Sequence, residues 1–229
     1  MHDPDLITRL LDAAKMHVPF DGWSEATLKA AASDADIDPG LVAAICPRGA
    51  VDLALAYHEA GDQAMLARLE AAELGDMRFR DRIAFAVRAR LEAVEDKELV
   101  RRGMTLFSLP IYAADGARAI WQTCDRIWLA LGDTSDDVNW YTKRATLSGV
   151  YGATVLYWLG DDSEDSARTW EFLDRRIEDV MQIEKFKAQA RDNRLMSGLM
   201  AGPLGFLTRI RAPQGGATTG MPGRWNGPT

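Results

Sequence analysis

The sequence predicts an all-α protein, and three observations lead there. Nearly every segment repeats its apolar residues at spacings of three and four, and none gives a convincing alternating strand. Short clusters of Gly, Pro, Asp and Ser separate these segments, as helix caps and turns require. An apolar content of 47% beside 27% charged residues, in 229 residues, supports a packed core in one domain or two small ones.

Residues 4–16 place Leu6, Leu10, Ala13 and Ala14 on one helical face, with Leu11 beside them. Pro19 and Gly22 break the chain over 17–23, and Ser24 is placed to cap a second helix to about 33. A turn over 36–40 leads into a third helix with Pro39 in its first turn, which stops before Pro47. A longer helix or helix pair covers 50–74, with Gly61 as a candidate break.

Residues 78–94 are the clearest amphipathic stretch, with Phe79, Ile83, Val87, Leu91 and Val94 on one face. Helices follow over 97–108, ended by Pro110, and over 113–131, where Ile120, Trp121, Cys124, Ile127, Trp128 and Leu131 form a broad apolar face. The helix over 138–159 is the most apolar. Asp161, Asp162 and Ser163 cap a helix over 164–188, striped by Trp170, Leu173, Ile177, Val180 and Met181.

The next segment, 191–211, carries a local net charge of +3 inside a chain of net charge −7. Leu195, Met196, Leu199, Met200, Leu204 and Leu207 recur at helical spacing between arginines. Such a segment suits a lipid interface, with its arginines meeting anionic headgroups. It equally suits a terminal helix packed on the domain or on a partner subunit. Residues 212–229 are rich in Gly, Pro and Thr, the composition of a disordered tail. The expected divisions are therefore 1–48, 49–190, 191–211 and 212–229.

Three short helices with a tight turn between the last two form a helix-turn-helix pattern. With longer helices following, the chain resembles the TetR family of transcription regulators: a TetR-like fold with an N-terminal helix-turn-helix-like unit and a larger C-terminal bundle. A DNA reader needs cations around its third helix and polar side chains at its start. Here that helix reads PGLVAAIC, and only Arg48 lies nearby. Residues 1–60 hold four cations against ten acids, a balance that repels a phosphate backbone. No nucleic-acid partner is expected, and a regulator with a small-molecule pocket is the alternative reading.

The three histidines form no HExxH or ExxH pattern, and GxSxG, P-loop and GxGxxG motifs are absent. No catalytic residue, metal, cofactor or enzymatic activity is expected. Cys46 and Cys124 make neither a CxxC pair nor a disulfide framework, which suits a reducing cytosol. The opening residues carry Asp3 and Asp5 and no apolar run, so neither signal nor transit peptide is expected.

The run from Asn139 to Leu147 sets two aromatics beside two cations. It reads as a helix start, capped by Asp137 or Asn139, with aromatics inward and cations in water. The alternative reading is a recognition surface, since aromatics and arginine dominate interface energetics.

IWLALGDTSDDVNWYTKRATL over 127–147 closely resembles a signature of the ubiquinone-biosynthesis accessory family often called the Coq-nine family. VYGATVLYWLGDDSEDSARTWEFLDRRIEDVM over 150–181 does too, and HVPFDGWSEATLKAAA over 17–32 is similar to its bacterial members. The resemblance covers about 17–210. It implies a TetR-like fold without DNA binding, a homodimer, and a bound lipid, an isoprenoid quinone, its precursor or a phospholipid. It further implies a terminal helix on the membrane surface and a patch that docks the di-iron demethoxy-quinone hydroxylase. Carried onto this chain, the patch falls on Trp140, Tyr141 and Arg144, with Trp128 and Lys143 nearby. The membrane helix falls on about 191–210, where Pro203 departs from an uninterrupted helix. Pocket lining is expected from Leu106, Leu109, Trp121, Leu147, Tyr151, Val155 and Trp158, each also readable as ordinary core. Mitochondrial members carry a transit peptide. Its expected absence here points to a bacterial cytoplasmic protein, peripheral on the inner membrane.

Overall fold

The computed structural model describes the backbone of residues 4–192 and the side chains of residues 6–182. The expected tail 212–229, and all but the first two residues of 191–211, lie outside the described residues; the proposed membrane contacts Leu195, Met196, Leu199, Met200, Leu204 and Leu207 are among them. The described chain is helical and contains no strand. It comprises α1 (Pro4–Ala14), α2 (Val18–Asp21), α3 (Glu25–Asp34), α4 (Pro39–Ile45) and α5 (Ala50–Ala71). It continues through α6 (Phe79–Glu92), α7 (Lys97–Phe107), α8 (Ala113–Ala130), α9 (Val138–Leu159) and α10 (Ala167–Asp192).

Contacts gather into two compact units. Unit one holds residues 1–72 and 89–119, and unit two holds 73–88 and 120 onward. The division therefore does not fall at 48. Leu53 and Ala54 of α5 and Leu99 of α7 are buried in one cluster with α1, α3 and α4 residues, so the short helices share their core with longer ones.

In unit one, α1 sets Leu10, Leu11 and Ala14 against Leu28, Ala31 and Ala32 of α3 within that cluster. Each fully buried leucine contributes about 1.5–3 kcal/mol relative to exposure. Ser24 caps α3 by accepting a hydrogen bond from Thr27 N at 3.2 Å. Pro19 does not break the chain as the sequence reading expects. It sits in the first turn of α2, where its missing N–H has no partner to lose. Trp23 then donates its indole N–H to Leu99 O at 3.0 Å, tying the following loop to α7.

Gly61 is not a break either, since α5 runs unbroken for 22 residues. Its missing side chain makes room for the Arg90 guanidinium, whose atoms would lie 2.5 Å from a Cβ at that position. Arg90 Nε donates to Asp62 Oδ1 at 2.7 Å, and Arg90 Nη2 donates to the His58 carbonyl at 3.0 Å.

In unit two, α9 packs along α10. Its buried side includes Leu147, Val150, Tyr151, Val155 and Trp158; α10 buries Leu173 and Ile177. The turn before α10 caps it at one remove. A short 3-10 turn, Glu164–Ser166, intervenes. Asp161 Oδ2 accepts from Thr169 N at 2.9 Å and Thr169 Oγ1 at 2.6 Å, while Ser163 Oγ accepts from Arg168 N at 3.1 Å.

Candidate functional site

The aromatic–cationic run forms the first turns of α9, and its cap comes from the preceding acidic turn. Asp137 Oδ1 accepts from Asn139 N at 2.9 Å, so Asp137 and not Asn139 is the cap. From there, neither reading of the run describes it fully. Trp140 and Tyr141 are half-buried and pack with Trp121 of α8, with ring centroids 4.8 to 6.5 Å apart. Lys143 keeps partial exposure. Arg144, expected on a docking surface, is wholly buried at 0% exposure.

Helical geometry explains this placement. Trp140 and Arg144 are four residues apart and lie on one face of α9. Arg144 Nε donates to Asp125 Oδ1 at 2.5 Å, and Nη1 donates to Asp133 Oδ2 at 2.9 Å and to the Trp140 carbonyl at 3.1 Å. Its guanidinium carbon lies 4.0 Å from the Trp140 ring centroid, a cation–π contact that offsets part of the desolvation. Two carboxylates and an aromatic face thus compensate the buried charge. Arg144 braces the site from within and is not part of an exposed patch.

Lys143 joins the same network. Its Nζ donates to Asp133 Oδ1 at 2.7 Å and to Ser135 Oγ at 2.6 Å, and lies 5.1 Å from the Trp128 ring centroid. Burial would raise the Asp133 carboxyl, but donation from Lys143, Ser135 and Arg144 outweighs it and lowers the pKa to about 2. Asp133 is therefore the hinge of the site: it ties the turn after α8 to two successive side chains of α9.

Beside this network unit two forms a half-open cavity of about 190 Å³. Helix α6 contributes Phe79 and Ile83, α8 contributes Trp128, and α10 contributes Ile177, Val180 and Met181. Helix α9 adds Leu147 and Val150 with the polar Asn139, Thr142, Lys143 and Thr146. The walls are apolar with polar groups along one helix, the usual composition of a small-molecule site.

The expected pocket residues divide. Leu147 lines this cavity, whereas Tyr151, Val155 and Trp158 are buried further along α9 and Trp121 belongs to the aromatic cluster. Leu106 packs against the core of unit one, and Leu109, in that unit too, is 46% exposed. Trp128 is 9% exposed and forms cavity wall, so it too leaves the expected docking surface. Sequence reasoning missed the cavity roles of Phe79, Ile83, Ile177, Val180 and Met181. Their signal was present as apolar stripes on two helices, but a stripe does not say that two stripes meet around a space.

In unit one, the third helix of the helix-turn-helix pattern exposes Pro39, Gly40, Leu41, Ala43 and Ala44. Arg48 Nε donates to Asp52 at 2.8 Å and its Nη1 to Asp115 at 3.1 Å. The cation nearest that helix is thus held by two acids.

Comparison with known proteins agrees with this architecture. The COQ9 family model matches residues 113–184, which include α8, α9 and the first part of α10. The chain is 31% identical over 186 residues to the mitochondrial ubiquinone biosynthesis protein COQ9 of Drosophila melanogaster, covering 79% of this chain and 57% of that protein. It is 29% identical over 205 residues to the Rattus norvegicus COQ9, covering 84% of this chain and 64% of that protein. The chain thus spans about three-fifths of the length of these relatives. Among solved structures, a TetR transcriptional regulator from Nitrosomonas europaea superposes with a TM-score of 0.63 at 20% identity, covering 77% of this chain and 97% of that one. The chain is related to the COQ9 proteins and has a TetR-like helical fold.

Proposed function

We propose, from this relationship to the COQ9 proteins, that the chain serves ubiquinone biosynthesis as a non-catalytic, lipid-binding accessory protein. It binds an isoprenoid quinone or a precursor lipid and contacts the membrane surface through 191–211. It then presents the intermediate to the di-iron demethoxy-quinone hydroxylase, and it works as a homodimer. The relatives' shared name, ubiquinone biosynthesis protein, supports the process. The observation that supports the lipid role is the apolar-walled cavity, bounded by the same α9 turns that carry Trp140 and Lys143.

The physical logic is solvation. A polyprenyl quinone is nearly insoluble in water, so a surface enzyme needs its head group lifted from the bilayer, and an apolar cavity offsets the cost of doing so. Among the described residues no single helix is long and apolar enough to cross a membrane. The proposed anchoring is interfacial. Trp140 and Tyr141, half-buried and backed by Arg144, supply aromatic area for the hydroxylase, with Lys143 at its edge.

Mass spectrometry of lipids extracted from the purified protein tests this reading. A polyprenyl quinone or precursor at sizeable stoichiometry is the expected result. An extract free of such lipid would refute the carrier role. The alternative, a TetR-type regulator, has support from the fold alone. The exposed apolar face of α4 and the acid-bound Arg48 weigh against it.

A further inference from the structure

The cavity of unit two has a feature that a greasy pocket does not need. Its wall includes Trp128, which is 9% exposed, and the Trp128 indole N–H is buried without a hydrogen-bond acceptor in the protein. Buried donors are nearly always satisfied, and a buried Trp N–H usually finds a hydrogen-bond partner. The α9 side of the same cavity carries Asn139, Thr142 and Thr146, further polar groups in an otherwise apolar wall.

Size narrows the occupant. A cavity near 150 Å³ holds benzene, so about 190 Å³ suits one substituted six-membered ring. A polyprenyl chain of several units is far larger and would run out through the open side. Its repeating hydrocarbon also offers the indole N–H nothing to accept with. Phe79 stands 5.5 Å from Trp128, centroid to centroid, and is itself 43% exposed, so an aromatic pair forms part of the wall.

We infer that this cavity receives the oxygen-bearing ring of the lipid, not its chain, and that the Trp128 indole N–H donates to a carbonyl or methoxy oxygen of that ring. The inference rests on the lipid reading proposed above and makes it specific. Trp128 is then a specificity residue: it distinguishes a quinone-type ring from any apolar ring of equal size. Thr142 Oγ1 already donates to the Asn139 carbonyl and Asn139 Nδ2 to Asp137 Oδ2, so the indole N–H is the donor on which ring recognition rests, and the chain lies outside the cavity.

Nuclear magnetic resonance of the tryptophan indole N–H groups in the full chain tests this. The seven tryptophans give seven indole signals, and Trp128→Phe identifies the relevant one. A tail-free dimethoxy-methyl-benzoquinone is expected to move that signal downfield, whereas farnesol, a ring-free isoprenoid, is not. Trp128→Phe should weaken benzoquinone binding about tenfold more than it weakens toluene binding. A second variant, Val150→Phe, fills the cavity and should abolish binding of the ring.

Farnesol moving the Trp128 signal while the benzoquinone does not would assign the cavity to the chain. That overturns this inference and leaves the lipid reading standing. No response to any probe, with the indole N–H exchanging freely with solvent, would make the cavity a water site and overturn it equally. Ring binding that survives Val150→Phe would do the same. Lipid extraction without quinone or precursor would instead strike the lipid reading itself.

Discussion

Among the described residues each unit buries one arginine against aspartate, and the two arginines do different work. In unit one, Arg90 bridges α6 to Asp62 and the His58 carbonyl of α5, and Gly61 opens the space it occupies. In unit two, Arg144 reaches two aspartates on different segments, the carbonyl of Trp140 and that residue's ring. The first is a clamp between two helices. The second also sets the position of an aromatic cluster beside a cavity. The same ion-pair chemistry thus serves cohesion in one unit and arrangement in the other, and only the neighbours tell which.

Removing each arginine should give the largest effects. Arg90→Leu takes the guanidinium from Asp62, leaving His58 at 3.8 Å, and Arg144→Leu takes it from Asp125; loss of a buried pair's cation costs about 3–5 kcal/mol in denaturant unfolding. Removing the charge on both sides separates the two sites. Arg90→Leu with Asp62→Leu should recover most of the stability, because well-packed apolar pairs replace buried ion pairs without penalty. Arg144→Leu with Asp125→Leu should recover stability too, since Lys143 still holds Asp133. It should nevertheless lose the near-ultraviolet circular dichroism of the Trp121, Trp140 and Tyr141 cluster, and with it the hydroxylase binding proposed above. A double variant that kept both would reduce Arg144 to a second clamp.

Gly61→Ala is the next largest. In an exposed helix interior this change stabilises by about 1 kcal/mol. Here the new Cβ meets the Arg90 guanidinium at 2.5 Å, and Arg90 cannot swing away without leaving Asp62. The expected sign is therefore reversed, to a loss of about 2 kcal/mol, typical of overpacking. Thermal unfolding reads it directly. A stabilised variant would mean that Arg90 moves at little cost and that its pair contributes little.

The same two sites mark how far the sequence could be read. Helix limits, the Ser24 cap and the Asp137 cap follow from local patterns, and local patterns are what one chain displays. The TetR-like fold and the relationship to the COQ9 proteins were legible from helix order and one long motif. Arg144 was read as a surface cation because its partners, Asp125 and Asp133, lie 19 and 11 residues away on other segments. Gly61 was read as a break because Arg90, the reason for it, arrives from another helix. The cavity was legible only as separate stripes on α6, α9 and α10. Which stripes share a space is a tertiary fact, and no helical period encodes it.

Acid sensitivity is the smallest effect and the finest test of the arrangement role. The Asp133 pKa of about 2 lies below its ordinary 3.8, so the folded state favours the ionised form. The stabilisation is complete above the ordinary value and is lost as pH falls towards 2. It amounts to about 2 kcal/mol at neutral pH, of which about 1 kcal/mol is gone by pH ~3. Asp133→Asn removes this term. The stability gap between the native chain and Asp133→Asn should therefore narrow by about 1 kcal/mol between pH ~7 and pH ~3. Asp161, whose carboxyl is held down chiefly by the Thr169 hydroxyl, titrates in both proteins and cancels in the difference. A gap that stays constant would mean that Lys143 and Arg144 do not hold Asp133 as a charged group. The turn before α9 would then be fixed by its cap alone, and the aromatic cluster should survive acid that protonates Asp133.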